Sequence, residues 1–172
     1  MRIVAGQWRG RRISPPNDDR VRPTADRVRE AWMSIVNAYL VDARVLDLFA
    51  GSGALGLEAL SRGAASADLV EVSAAGVRVI RENADLLGAT SALTIHRADA
   101  IRFIEKLEVN AYDVAFADPP YGHGLAAAVV KQWLAVPFAA VLGVEHESKE
   151  KLPGGDTRRY GSTSITFYRA DS

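Results

Sequence analysis

Hydrophobic positions along the chain change between two spacings, and this alternation predicts a sheet with helices packed on it. Short apolar runs typical of buried strands lie at residues 44–49, 67–71, 93–96, 111–117 and 138–144. Apolar residues at helical spacing lie at residues 24–40, 54–63, 74–87, 101–107 and 125–134. Residues 157–160 and 164–169 predict a closing hairpin. This order predicts an α/β fold, in which a mostly parallel sheet carries an antiparallel hairpin at its carboxyl end.

The amino end is set apart from this alternation. Residues 2–6 and 10–13 flank Gln7-Trp8-Arg9 and predict a small hairpin closed near glycines. Residues 14–19 read Ser-Pro-Pro-Asn-Asp-Asp, which breaks regular structure and is the best linker candidate. Because so short a hairpin cannot bury a core by itself, we expect a mobile arm or flap at residues 1–20 and a main domain at residues 21–172.

The first helix of the main domain is predicted to open at residues 22–24, with Thr24 as its N-cap. Its apolar stripe, which includes Val28 and Trp32, is expected to face the core. Arg27 and Arg29 lie off that stripe, and Arg27 could turn toward a ligand carboxylate near the helix start.

Charge is unevenly spread although the formal net charge is zero. Residues 1–29 hold eight arginines against three aspartates, a net charge of +5, so the remainder carries the opposite charge. Guanidinium groups suit phosphate oxygens, and Trp8 among them could stack on a base or ribose. The pattern favours nucleic-acid binding over a set of merely solvated arginines.

Composition bounds the class of protein. A length of 172 residues with 48% hydrophobic content is enough for a sizeable core, and the lack of cysteine excludes disulfides and thiolate metal sites. No apolar stretch approaches the roughly 18 residues of a membrane span, and the first residues do not read as a signal peptide. We therefore expect a soluble cytoplasmic protein.

A glycine turn follows the first predicted strand. Gly51, Gly53 and Gly56 match the pattern G-x-G-x-x-G at the start of a helix, and Glu71 ends the next strand 20 residues after Gly51. Strand, glycine turn, helix, strand and acidic end in this order predict a site for a nucleoside-type cofactor. Glu71 would accept hydrogen bonds from the ribose hydroxyls.

Asp47, at the end of the first strand, bears on which cofactor that is. A carboxylate there would repel the pyrophosphate of NAD, whereas S-adenosylmethionine carries a sulfonium and an ammonium group that it would attract. The charge favours the methyl donor over a dinucleotide. Asp47 could instead be a structural acceptor for N–H groups of the glycine turn.

Asp118-Pro119-Pro120-Tyr121 follows an apolar strand and should lie at the carboxyl edge of the sheet, where open α/β folds bind ligands. The two prolines hold the backbone extended, so the Asp118 carboxylate and the Pro119 carbonyl form a stiff pair of acceptors beside the Tyr121 ring. An exocyclic amine of a nucleobase needs two such acceptors and a cover for its ring. An ordinary Asp-Pro turn at the end of a strand is the alternative.

Two further polar positions admit two interpretations each. Asp99 could accept from an adenine amine at another strand's end, or it could cap the following helix. Glu145-His146-Glu147 is interpreted as the polar end of a strand rather than a metal site, and we predict no metal.

Together, residues 45–53 and 118–121 resemble the paired motifs of Rossmann-like, S-adenosylmethionine-dependent methyltransferases that modify exocyclic amines of nucleobases. Residues 2–12 and 22–31 narrow the likeness, and the chain resembles the RsmD family, whose members methylate N2 of guanine in 16S ribosomal RNA. The likeness runs nearly end to end. It implies a Rossmann-like class I methyltransferase fold with seven strands. The chain departs from the family in one respect: from residues 145–147 onward it is short before the final hairpin, with little room for a helix or for a substrate-binding loop there.

The resemblance also implies the site residues. The cofactor would be held by Thr24, Arg27, Asp47, Gly51, Ser52, Gly53, Glu71, Asp99 and Ala100. The catalytic residues would be Asp118, Pro119 and Tyr121. Substrate contacts would come from Pro120, Tyr121, Arg2, Trp8, Arg9, Arg11 and Arg12. The implied partner is 16S ribosomal RNA, within a small subunit or an assembly intermediate, and the expected state is a monomer that does not contact membranes.

Two other functions remain open on the residues alone. An adenine-N6 methyltransferase acting on DNA or RNA would need the same acceptors at residues 118 and 119. A ribosome assembly factor could use the basic arm without chemistry, although it would not need a rigid amine-holding segment beside a cofactor turn.

Overall fold

The computed structural model describes residues 1–15 and 23–171, with the side chains of residues 23–25 left aside. Five helices alternate with seven strands within these residues. The helices are α1 Pro23–Val36, α2 Ala54–Ser61, α3 Ala74–Leu87, α4 Ala100–Glu105 and α5 Leu125–Ala135. The strands are β1 Arg44–Leu48, β2 Ser66–Glu71, β3 Leu93–Arg97, β4 Tyr112–Ala117, β5 Ala139–Glu147, β6 Asp156–Tyr160 and β7 Thr163–Arg169.

The strands form one sheet in the order β3-β2-β1-β4-β5-β7-β6. The first five are parallel to one another, and β7 is antiparallel to both β5 and β6. The predicted seven-stranded fold is therefore confirmed. Chain order reverses between β1 and β4, and the crevice at such a reversal, outside the carboxyl ends of the strands, is where α/β sheets bind ligands.

Two apolar layers cover the sheet. Val45, Phe116 and Trp32 belong to the layer under α1, α2 and α3, and Leu46 and Ala115 belong to the layer under α4 and α5. Because parallel strands are buried on both faces, successive residues of β1 and β4 alternate between the two layers. Because β1 and β4 are also paired in parallel up to Leu48 and Ala117, their carboxyl ends lie side by side.

Three predicted boundaries need correction. α1 begins at Pro23, so Thr24 lies inside its first turn and is not the N-cap; its side chain is outside the described residues. The helix ends at Val36, where the chain tightens into a 3-10 turn that continues to Tyr39. β5 runs three residues beyond the apolar run predicted for it, since Glu147 still pairs with Thr163 of β7; residues 145–147 are thus the polar end of a strand, as interpreted from the sequence.

The amino-terminal arm, residues 1–15, has the predicted hairpin pairing and lies against the main domain. Arg2 pairs with Arg12 in an antiparallel bridge, and the Ile3 N–H donates to the Arg11 carbonyl at 2.9 Å. Ile3 and Ile13 are 2% and 4% exposed, and both belong to the apolar layer under α1. The predicted linker lies mostly outside the described residues, so the division between residues 20 and 21 stays a prediction.

Candidate active site

The glycine turn between β1 and α2 has a backbone that requires glycine. Gly53 has φ +81°, and a Cβ there would lie 2.9 Å from a methyl carbon of Leu69. Phe49 also has a positive φ, of 58°, which is unusual for an aromatic residue and is typical of functional turns. The turn is pinned to β2, since the Ala50 N–H donates to the Val70 carbonyl at 3.0 Å.

Asp47 lies directly below this turn and is 1% exposed. Its Oδ2 accepts the Gly56 N–H at 2.9 Å. Asp47 is therefore a structural acceptor for a backbone N–H beside the glycine turn, which is one of the two roles that the sequence left open. Burial raises the pKa of Asp47 well above its usual range; the Gly56 hydrogen bond acts against this, and the charges of Asp118 and Glu71 raise the pKa further. A cation placed at this edge would relieve the repulsion among the three carboxylates.

Glu71 ties the end of β2 to the turn. Its Oε1 accepts the Gly51 N–H at 3.0 Å, and its Oε2 accepts the Ser73 N–H at 2.8 Å. The Glu71 carboxylate is therefore held at the edge of the sheet beside Gly51. Its proposed bond to a ribose stays a prediction.

Asp99 is the N-cap of α4. Its Oδ1 accepts the Arg102 N–H at 3.0 Å, and its backbone is extended as caps require. The capping interpretation of Asp99 thus describes its observed contact, and its role toward an adenine stays a prediction. Ala100, buried at the start of α4, lies next to it.

Asn83, which was not predicted from the sequence, links the glycine turn to the arm. It is 0% exposed, and its Nδ2 donates to the Ser52 carbonyl at 3.0 Å and to the Ser14 carbonyl at 2.9 Å. Its Oδ1 accepts the Ser14 N–H at 2.7 Å. The sequence signal that could have identified Asn83 is that it is the one amide among the apolar residues of the buried face of α3, between Ile80 and Leu87.

The segment from Asp118 to Tyr121 leaves the end of β4 at the same edge. Asp118 and Pro120 are exposed, Pro119 is buried and Tyr121 is half-buried. The Tyr121 hydroxyl lies 2.9 Å from Oγ1 of Thr163 and 3.4 Å from Oε1 of Glu145. Thr163 and Glu145 were not predicted from the sequence, because the pairing of β5 with β7 brings them to Tyr121 from 42 and 24 residues away.

The arm is clamped to the helix that follows the glycine turn. Glu58 of α2, 0% exposed, accepts the backbone N–H groups of Val4 at 2.8 Å and Ala5 at 3.2 Å. Oγ of Ser61 donates to the Ala5 carbonyl at 2.6 Å and accepts the Trp8 N–H at 3.0 Å. These contacts use the backbone of the arm and none of its arginine side chains, one of which, Arg11, donates to the Leu86 carbonyl.

The side chains predicted to meet the substrate lie on the outside of the arm, with one exception. Arg2, Arg9, Arg11 and Arg12 are exposed, whereas Trp8 is half-buried and packs on the apolar layer below. Stacking of Trp8 on a base stays a prediction.

Two arginines of α1 have different environments. Arg27 is exposed, and its predicted contact with the cofactor stays a prediction. Arg29, placed off the apolar stripe by the sequence, is 6% exposed; its guanidinium donates to the Arg2 carbonyl at 2.7 Å and lies 3.6 Å from the Asp26 carboxylate.

The end of β5 carries His146, which is 3% exposed. One ring nitrogen lies 2.8 Å from the Thr166 hydroxyl and the other 2.9 Å from the Glu147 carbonyl. No group of three or more metal-ligating side chains occurs within residues 1–15 and 26–171. In the same part of the chain, every helix is too short or too polar to cross a bilayer.

The donor set of this edge fits S-adenosylmethionine. The glycine turn allows close approach of a ligand to backbone, Glu71 and Asp99 stand at the ends of β2 and β3, and Asp47 adds a buried carboxylate. A ligand with an ammonium and a sulfonium suits this edge, where the charges of Asp118 and Glu71 act on Asp47, whereas a pyrophosphate would be repelled.

Comparisons with known proteins agree with this geometry. The family described as "Conserved hypothetical protein 95" matches residues 1–169. Ribosomal RNA small subunit methyltransferase D of Escherichia coli K12 is 40% identical over 158 residues, covering 89% of this chain and 78% of that protein. The protein of the same name from Haemophilus influenzae is 34% identical, covering 88% and 81%.

Solved structures show the same fold. A hypothetical protein of Thermus thermophilus superposes with a TM-score of 0.85 at 31% identity, covering 99% of each chain. A SAM-dependent methyltransferase of Agrobacterium tumefaciens gives a TM-score of 0.66 at 18% identity, covering 87% of this chain and 63% of that one, which shows the fold alone. The chain belongs to the Conserved hypothetical protein 95 family, which is the RsmD family, and is a methyltransferase that uses S-adenosylmethionine.

Proposed function

We propose that this protein methylates the exocyclic N2 amine of one guanine in 16S ribosomal RNA, within a small subunit or an assembly intermediate. The relatives named above act on small-subunit ribosomal RNA, and the chain covers most of their length. The observation that carries the proposal is the position of the Asp118-Pro119 acceptor pair, which follows the end of β4 next to β1, the strand that contains Asp47.

In this proposal, Asp118 and Pro119 act on the target amine. The N2 lone pair is delocalised into the guanine ring and is a poor nucleophile. Hydrogen bonds from its two N–H groups to the Asp118 carboxylate and the Pro119 carbonyl favour a pyramidal nitrogen and stabilise the positive charge that grows on it.

The transfer is a direct displacement. When bound, S-adenosylmethionine supplies an electrophilic methyl group on a sulfonium that leaves as a neutral thioether. The new bond would join N2 of guanine to this carbon as the bond from carbon to sulfur broke, and the amine would then lose one proton to Asp118 or to water. The chain therefore needs no acid for the leaving group.

The guanine must first leave its stack. Unstacking costs a few kcal/mol, which contact with the Tyr121 ring would offset in part. Tyr121 is suited to this because its hydroxyl bonds Thr163, so the ring is held at the edge of the sheet before the base arrives. Pro120 beside it is exposed and completes the cover.

The outer face of the arm supplies the RNA contacts. Its exposed guanidinium groups, on Arg2, Arg9, Arg11 and Arg12, would bind backbone phosphates on either side of the target. Thr24 and Arg27, at the start of α1, would close over the methionine end of the cofactor. We also propose that the protein works as a monomer in the cytoplasm.

The test is transfer of labelled methyl from S-adenosylmethionine to small subunits that lack their own guanine-N2 methylation, followed by nucleoside analysis. We expect label in N2-methylguanosine. Label in N6-methyladenosine would replace the proposal with an adenine-N6 activity. Cofactor binding without label on subunits, free ribosomal RNA or DNA would favour a role in assembly without chemistry.

A further inference from the structure

Glu145 stands beside the amine-binding segment. β4 and β5 are parallel, and their last paired residues are Ala117 and Val144, so Asp118 and Glu145 are the next residues of the two neighbouring strands. Oε1 of Glu145 lies 3.4 Å from the Tyr121 hydroxyl. The carboxyl edge of the sheet therefore presents two carboxylates on adjacent strands next to one aromatic ring.

The side of the sheet on which Glu145 lies follows from strand alternation. Gly143, two residues before it, faces Trp32 of α1, where a Cβ would lie 2.4 Å from the indole nitrogen. Ile165, the residue paired with Glu145 on β7, belongs to the apolar layer under α1. Residues two apart share a face, so Glu145 is on the α1 side, as is Asp47, two residues after Val45 of the same layer.

We infer that Glu145 accepts the N1–H of the target guanine and thereby selects guanine over purines that lack a proton at N1. The inference rests on the proposed function, because it takes the N2 amine as the group held by Asp118 and Pro119. On guanine, N1–H is the donor next to that amine. Glu145, on the strand next to the one that Asp118 follows, is in the position to accept a hydrogen bond from this N1–H.

The Glu145 carboxylate can only accept hydrogen bonds, so it favours a purine that carries a proton on N1. A purine with an unprotonated N1 presents a lone pair at this position, so the carboxylate would face a lone pair and lose a hydrogen bond. Sites built to bond a particular N–H or O–H reject analogues that lack it far more strongly than apolar pockets reject a missing methylene. The Tyr121 hydroxyl, bonded to Thr163 and within reach of Glu145, helps to orient that carboxylate.

The probe is 2-aminopurine, placed in 16S ribosomal RNA at the nucleotide that the wild type methylates. This base keeps the 2-amino group and lacks the N1 proton. We expect the wild type to methylate guanine at least about 30-fold faster than 2-aminopurine. In Glu145→Gln the side-chain amide can donate to the bare N1, so we expect the ratio to fall to within about threefold.

The matched control is Glu147→Gln, two residues further on the same strand, where the carboxylate lies 3.2 Å from Nζ of Lys149. It should keep the wild-type ratio. A ratio that is near one in the wild type, or that Glu145→Gln leaves unchanged, would overturn the inference. The wild-type ratio needs no variant, so this test does not depend on how well Glu145→Gln folds. Failure of the proposed function looks different, since then the wild type would form no N2-methylguanosine.

Discussion

The buried carboxylate of Glu58 accepts the backbone N–H of Val4 at 2.8 Å, across 54 residues of chain. Its second oxygen accepts the Ala5 N–H and lies 3.2 Å from Nε of Arg62. One side chain thus joins the arm to α2, the helix that begins at the glycine turn. The arm and the glycine turn are therefore parts of one packed unit.

Replacing Glu58 by Gln should weaken the attachment of the arm to α2. The glutamine side chain would keep one oxygen acceptor, but its NH₂ group would face a backbone N–H that the second Glu58 oxygen now accepts. Because that N–H would lose its partner, we expect a loss of about 1–3 kcal/mol in the free energy of unfolding. RNA affinity should fall while affinity for S-adenosylmethionine changes little. Urea unfolding and filter binding measure both, and Glu82→Gln on the exposed face of α3 is the control. Equal RNA affinity in Glu58→Gln and wild type would contradict this account.

Gly6→Ala and Gly10→Ala form a matched pair on the arm. Both glycines have positive φ, at +87° and +81°, so both substitutions carry a similar backbone cost of about 1 kcal/mol. Only at Gly6 would the new Cβ clash, 1.9 Å from the Ser61 carbonyl oxygen, whereas Gly10 has open space. We expect Gly6→Ala to detach the arm and raise its protease sensitivity. Similar digestion rates for the two variants would show that close approach at Ser61 does not hold the arm.

Asn83→Leu should release both ends of the bridge between Ser14 and Ser52. The apolar side chain is of similar size but leaves the Ser14 N–H and two carbonyls without their partner, which costs about 1–3 kcal/mol for each buried group. Hydrogen exchange should quicken in residues 1–15 and in the glycine turn, with β6 and β7 unchanged. Faster exchange in the arm alone would mean that Asn83 does not couple it to the turn.

Asp47→Asn should change stability and cofactor binding in opposite directions. Since the pKa of Asp47 is raised in the folded state, the native protein holds a proton that the unfolded chain releases above a pH of about 4. Wild-type stability should therefore fall, relative to Asp47→Asn, as pH rises from about 4 toward the folded pKa. Asn keeps an acceptor for Gly56 but loses the charge, so S-adenosylmethionine should bind more weakly.

Denaturant curves at several pH values and equilibrium dialysis test this prediction. The two proteins should differ least in stability at the acid end of the range. A stability difference that does not change with pH would mean that Asp47 ionises in the folded protein as it does in the unfolded one.

Asp118→Asn should separate turnover from cofactor affinity. Loss of the charge that stabilises the growing positive nitrogen should lower kcat by about 100-fold, whereas the Kd for S-adenosylmethionine should stay within about threefold. Asp113→Asn, at the other end of β4, is the matched control because its carboxylate bonds Arg44 far from the carboxyl edge. Turnover within about twofold of wild type in Asp118→Asn would refute the proposed mechanism.

Much of this molecule follows from local pattern. Burial on both faces gives β1 and β4 their short, mostly apolar runs, and the glycine turn with Glu71 has a spacing of its own. The parallel strands, the antiparallel end of the sheet and the edge that carries the glycine turn were therefore predictable, whereas the order of the strands in the sheet was not predicted. Asn83, Glu145 and Thr163 were not predicted either, since each acts on a segment far away in sequence. Arg29 was misplaced for the same reason: its burial comes from the arm, whose Arg2 carbonyl it bonds.

The position of β7 in the sheet determines how late in synthesis the sheet can be completed. β7 lies between β5 and β6 although it follows both in sequence, so β5 lacks its second neighbour until residues 163–169 have been synthesised. Thr163, the partner of Tyr121, belongs to that strand. On a nascent chain the half of the sheet that carries the glycine turn can assemble first, and the half that carries Tyr121 is completed only by β7.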